Sequence, residues 1–178
     1  MRKVLYIFGL LTDADIEWMA QNGICRRLND GEILIEEGGR SDSLFLVLEG
    51  EVQVTARGYG HIARMGVGEI VGEVSLVDSA PPSATITAHG DGLALFLDKR
   101  RLLAKLAQDE GFGARFYRAL AVFLADRLRA TRQPTTEKLS DSAAVSRDEL
   151  DIGIMDHVTA AGERFNRMLR MLRIQSAE

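Results

Sequence analysis

The chain has 178 residues, with 46% hydrophobic and 27% charged residues and a formal net charge of −4. These proportions belong to a globular chain with a real core, and they exclude wholesale disorder and a broadly basic nucleic-acid binder. Cys25 is the only cysteine, so no internal disulfide exists and a reducing, cytoplasmic setting is expected. In chain order, the apolar run Val4–Leu11 follows Arg2 and Lys3 but is far shorter than the roughly 18–20 residues of a membrane span. Asp13, Asp15 and Glu17 come directly after it with no cleavage site, so it reads as a core-packing segment and not as a signal peptide. Thr12-Asp13-Ala14-Asp15 forms a capping pattern for a helix to about Asn22, ended by Gly23. The acidic residues of that helix are expected on a solvated face.

Twelve of the 17 glycines lie between Gly23 and Gly92. Between them stand short runs rich in Val, Ile, Leu and Phe: 32–35, 44–48, 51–55, 84–87 and 93–97. Eight or so short strands at this spacing predict an antiparallel barrel or sandwich. Val52, Val54 and Ala56 alternate with polar neighbours, as in a strand with one wet face. Leu44–Leu48 is apolar throughout, as in a strand buried on both faces. Asp98 then starts a helix from Lys99 to Gln108, and a longer one follows Gly111 to about Arg132. In the longer helix Phe116, Leu120, Leu124 and Leu128 recur every fourth residue, and Pro134 ends it.

Residues 134–148 read as a polar linker, with Ser146-Arg147-Asp148-Glu149 as a capping box for the last helix, which spans 149 to about 173. In that helix Ile154, Val158, Ala161, Phe165, Met168 and Leu172 are spaced 4, 3, 4, 3, 4. Such a heptad stripe either packs back onto the chain's own barrel or zips to a second copy or a partner protein. A homodimer or a docking interaction through this helix is the expectation. Arg164, Arg167, Arg170 and Arg173 complement its dipole. The predicted fold class is α+β: an antiparallel β-roll, or double-stranded β-helix, forming a jelly-roll-like barrel. An N-terminal helix and C-terminal hinge helices flank it. Domain boundaries fall at 1–133, 134–148 and 149–178.

The chemistry concentrates between Val67 and Ile86. There a strand ends at Gly72, a short helical turn starts at Glu73, and Pro81-Pro82 turns the chain into the next strand. Gly72 permits a ligand to approach the backbone closely. Glu73 is placed to accept hydrogen bonds from a sugar hydroxyl, and Ser83 can give a hydroxyl to an anion. Three blocks, Gly31–Gly38, Asp42–Val52 and this cassette, stand in the order and spacing that resembles the cyclic nucleotide-binding domain family. That family includes the catabolite-activator regulators and the regulatory subunits of cAMP-dependent kinase.

The resemblance covers residues 12 to about 133. It implies that Gly72, Glu73 and Val74 meet a cyclic phosphate and ribose, that Ser83 and Ala84 end the cassette, and that the helix after Gly111 moves when cAMP or cGMP binds. One position departs. The family's phosphate-binding arginine is replaced by Pro82, which has neither charge nor side-chain donor. Arg57 and Arg64 are the cations that stand nearest to substitute.

Two functions follow: a non-enzymatic sensor of a cyclic nucleotide or related anion, or a ligand-free interaction module that keeps the fold. A winged-helix DNA reader is disfavoured, because only one helix is expected after Gln133. No catalytic constellation, metal-ligand cluster or cofactor motif is found. His61, His89 and His157 are scattered, and Cys25 reads as a small core residue.

Overall fold

The computed structural model describes the backbone of residues 7–78, 80–131 and 152–175, and the side chains of 7–78, 80–129 and 159–172. The expected linker, the capping box at 146–149, residues 1–6 and the side chains of Ile154, Val158 and Arg173 lie outside these.

The N-terminal helix is α1 (Asp13–Asn22), preceded by a helical turn at 7–10. Its capping box is complete: the Asp15 amide donates to Thr12 Oγ1, and the Thr12 amide donates to the Asp15 carboxylate at 2.7 Å. Gly23 ends it, as expected. Ile7, Phe8 and Leu11 are buried, so the visible part of the N-terminal apolar run packs in the core.

Six strands follow: β1 (Gly23–Leu28), β2 (Ile33–Ile35), β3 (Ser43–Ala56), β4 (Gly60–Met65), β5 (Ile70–Val71) and β6 (Thr85–Asp98). The helix α2 (Val74–Val77) lies between β5 and β6, and α3 (Lys99–Gln108) and α4 (Glu110–Thr131) come after them. Asp98 caps α3 by accepting from the Arg101 amide at 2.9 Å. The last helix is α5 (Ile152–Gln175).

The runs 44–48 and 51–55, expected as separate strands, are two halves of the 14-residue β3, and 84–87 and 93–97 fall within the 14-residue β6. Gly50, at φ +80°, bends the chain inside β3 where the β3–β6 register shifts between Val47 and Glu51. A Cβ at Gly50 would sit 2.8 Å from the Asp91 carbonyl oxygen, and one at Gly92 would sit 2.6 Å from that of Glu49. These glycines permit a bulged close approach within a ladder and not a chain reversal.

β3 and β6 pair along most of their length, and each half takes a different short partner. β1 and β2 lie on β6, while β4 and β5 lie on β3. The expected antiparallel β-roll with flanking helices is present, as an open sheet not closed into a barrel: it runs β1-β6-β3-β4. Sharing one long two-stranded ribbon among four short strands rolls the sheet without joining its edges. Leu44–Leu48 is buried throughout, as predicted for a strand covered on both faces.

The C-terminal helix turns its stripe inward. Ala161, Met168 and Leu172 are buried in the chain's own core, and Phe165 meets Phe8 edge-on at 5.3 Å. Over 161–172 the heptad face is therefore packed on the chain itself, one of the two arrangements its spacing allows. The charges follow. Arg164 bonds Asp13 at 2.8 Å and the Phe8 carbonyl at 2.9 Å, and Arg167 bonds Asp13 at 2.9 Å. Nor is Asp15 on a solvated face. It is buried, and Arg115 of α4 grips both its oxygens at 2.7 and 2.9 Å. Burial alone would raise the Asp15 pKa, but bonds from Arg115 and Thr12 hold it below the usual value.

Candidate functional site

β5 delivers the chain to Gly72, whose φ of +86° lets it turn sharply under β3. A Cβ there would lie 3.1 Å from the Ser43 carbonyl oxygen. Glu73 follows as the N-cap residue of α2, without a side-chain cap bond. Its carboxylate is instead directed into the protein, where it is 2% exposed. On the far side of the loop, the Pro82 carbonyl accepts from the Gly38 amide at 2.8 Å, which fixes the corner before β6.

These elements line an open cavity of about 110 Å³. Gly72, Glu73, Val74, Ser83 and Ala84, the five residues singled out from the sequence, all line it. Ile35, Val54, Met65, Val71 and Ile86 give it apolar walls. Arg57 and Arg64 do not line it. The Arg57 amide bonds Glu37, and Arg64 pairs with Gln53 in the β3–β4 ladder.

The cation at the cavity is Arg127 of α4, which the sequence reading missed. Its Nη1 donates to Glu73 Oε1, its Nη2 donates to the Ile70 carbonyl at 3.0 Å, and its guanidinium stacks over the Phe123 ring at 4.3 Å. Burial pushes the Glu73 pKa above the ordinary carboxylate value, with Arg127 pulling against that rise. A signal for Arg127 existed. Phe116, Leu120 and Phe123 are buried at spacings of four and three, and the next position of that face is an arginine. A cation on a core-facing stripe needs a buried acid.

Lys99, the first residue of α3, is the second missed group. It is 7% exposed, and its Nζ donates to Ser75 Oγ at 2.7 Å and to the Ser41 carbonyl at 2.8 Å. Burial depresses its pKa, against the pull of Asp42 and Glu73. Nothing in the local sequence distinguishes it from a solvated first-turn lysine. Among the described residues there is no cluster of His, Cys, Asp or Glu able to hold a metal. No helix there is long and apolar enough to cross a membrane. Cys25 is half-buried against the core, and burial raises its thiol pKa, which disfavours a nucleophilic thiolate.

The site is thus built from a rolled antiparallel sheet, a Gly-Glu turn with a short helix, and a following helix that reaches back to the glutamate. Residues 25–109 match the model of the cyclic nucleotide-binding domain family. The chain is similar to a cyclic nucleotide-binding domain from Methylobacillus flagellatus, with a TM-score of 0.63 and 24% identity over 73% of this chain and 80% of that one. It is also similar to the N-terminal domain of a transcriptional regulator from Streptomyces coelicolor. There the TM-score is 0.59 and the identity 28%, over 75% of this chain and 98% of that one. A cAMP-dependent protein kinase regulatory subunit of Mycosarcoma maydis is 28% identical over 87 residues, 47% of this chain and 17% of that protein. The chain spans about a quarter or less of the length of the curated relatives it matches.

Proposed function

We propose that this chain is a non-enzymatic, cytoplasmic regulatory module that binds a cyclic nucleotide, cAMP or cGMP, in the cavity under α4. In this reading the signal passes through the helices that follow β6. The observation that carries it is the Glu73–Arg127 pair. The carboxylate placed to meet a ribose hydroxyl is held by the helix that would have to move. The ligand's free ribose hydroxyl competes with Arg127 for Glu73, so occupancy and the position of α4 are linked. The coupling equals the ligand's differential affinity for the two positions.

The cavity volume favours a second reading. About 110 Å³ is well below the roughly 300 Å³ at the lower end of small-molecule sites, so a nucleotide enters only if Arg127 and α4 withdraw. A module that keeps α4 permanently closed is an interaction or oligomerisation unit with no ligand. Calorimetric titration with cAMP and cGMP, on protein checked to be free of co-purified nucleotide, separates the two. Saturable binding in the low micromolar range, lost in Glu73→Ala and accompanied by faster hydrogen exchange in α4, supports the sensor. No heat at millimolar ligand overturns it.

A further inference from the structure

The cavity's cation is already committed: Arg127 serves Glu73. Pro82, at the end of the cassette, offers no charge and no donor. A ligand phosphate therefore needs another source of positive potential. Ser75 lines the cavity beside Glu73, and it also lines a neighbouring hollow of about 270 Å³ bordered by Ser41, Pro81, Pro82 and the charged pair Arg40 and Asp42. Lys99 stands behind it, donating to Ser75 Oγ at 2.7 Å, to the Ser41 carbonyl at 2.8 Å and to Ser41 Oγ at 3.3 Å.

A hydroxyl that accepts from an ammonium group must send its own proton elsewhere. The present acceptor of Ser75 is the Gly72 carbonyl at 3.4 Å, a long contact for an O–H donor. That proton is free to turn to a stronger acceptor in the cavity, and the ammonium behind it makes the resulting bond charge-assisted. The charge itself needs a reason. Joining Ser41 to Ser75 requires only neutral donors, and burying an ammonium is costly. Glu73 supplies only part of the reason: it favours the charged form of Lys99, but its direct partner is Arg127. Asp42 faces Lys99 too, but its side chain is 65% exposed and pairs loosely with Arg40 at 3.7 Å, so water screens it.

We propose that Ser75, backed by Lys99, is the anion-recognition element of this site, with Ser75 touching the ligand phosphate and Lys99 acting through it as a positioning residue. The proposal rests on the cyclic-nucleotide reading above and names the part of the site that selects a phosphate over an uncharged nucleoside.

The test compares cAMP with adenosine, and cGMP with guanosine, by calorimetry. Each pair shares base and ribose and differs in the phosphate. Wild type is expected to prefer the cyclic nucleotide by about tenfold or more, the range of one charge-assisted bond. Lys99→Met and Ser75→Ala should each remove most of that preference while leaving nucleoside affinity within about twofold, and Ser75→Thr, which keeps the hydroxyl, should retain it. Ser75→Ala deletes one oxygen and keeps the fold testable should Lys99→Met destabilise it. A variant that weakens nucleotide and nucleoside equally, or leaves the preference intact, overturns the proposal, as does a wild type with no preference. A wild type that binds none of the four overturns the cyclic-nucleotide reading itself.

Discussion

Glu73 and Arg127 show how a buried acid is held by a single cationic partner. The carboxylate is almost wholly enclosed, while Arg127 keeps about a third of its side chain in solvent. Removing the arginine would leave an uncompensated buried carboxylate. The folded-state pKa of Glu73 is already raised, and Arg127→Ala raises it further. A raised carboxyl contributes its full stability below its unfolded value near 4.5 and loses it as pH rises through the folded value. Arg127→Ala should therefore lie about 1 kcal/mol below wild type near pH 4, the worth of the lost Ile70 bond. The deficit should widen to about 3–5 kcal/mol at neutral pH, and urea titrations across that range read it directly. The cassette residues were legible in the sequence because their chemistry is local: a glycine, an acid and a hydroxyl in a short stretch. Arg127 and Lys99 were not, because each acquires its role from a partner brought in by the fold from 54 or 24 residues away.

At the scale of elements, the apolar runs were read correctly and their connections were not. Glycine marks both a turn and a bulge, and only the facing strand tells them apart. Gly50 and Gly58 make the point, since both have φ +80°. A Cβ at Gly58 meets nothing within 4 Å, whereas one at Gly50 meets the Asp91 carbonyl oxygen at 2.8 Å. Gly58→Ala should cost only the backbone strain, roughly 1 kcal/mol. Gly50→Ala should cost roughly 2–3 kcal/mol or more, because the β3–β6 ribbon must part. Thermal melts of the two single variants isolate the crowding from the strain. The helices were legible to within a few residues, because caps and 3.6-residue periodicity are written in the chain itself: Thr12 and Asp98 both cap as expected.

For the whole molecule, the last helix decides what counts as one unit. The heptad spacing of 154–172 specifies an apolar face but carries no information on which surface it meets. The structure gives it the N-terminal segment, through Phe8, Asp13 and the inward-facing Met168. Trp18, the only tryptophan, stands on α1 with its ring 5.6 Å from that of Phe112, so its fluorescence reports on the body that α5 covers. Met168→Ala should destabilise that body by about 2–4 kcal/mol. The Trp18 melt should fall by roughly 4–16 °C. A melt unchanged in Trp18 would mean that α5 does not dock on its own chain.

The long β3–β6 ribbon also sets an order of events in time. Gly23 pairs with Leu97, Ile33 with Thr87 and Leu44 with Leu97 across the ribbon, so three of the six strands wait for β6. During synthesis the wholly apolar Leu44–Leu48 leaves the ribosome long before its partner exists. Closing such distant pairs places folding among the slow, milliseconds-to-seconds topologies. Until β6 arrives the nascent chain carries an unpaired, hydrophobic strand edge, the kind of surface that chaperones cover and that aggregates when they do not.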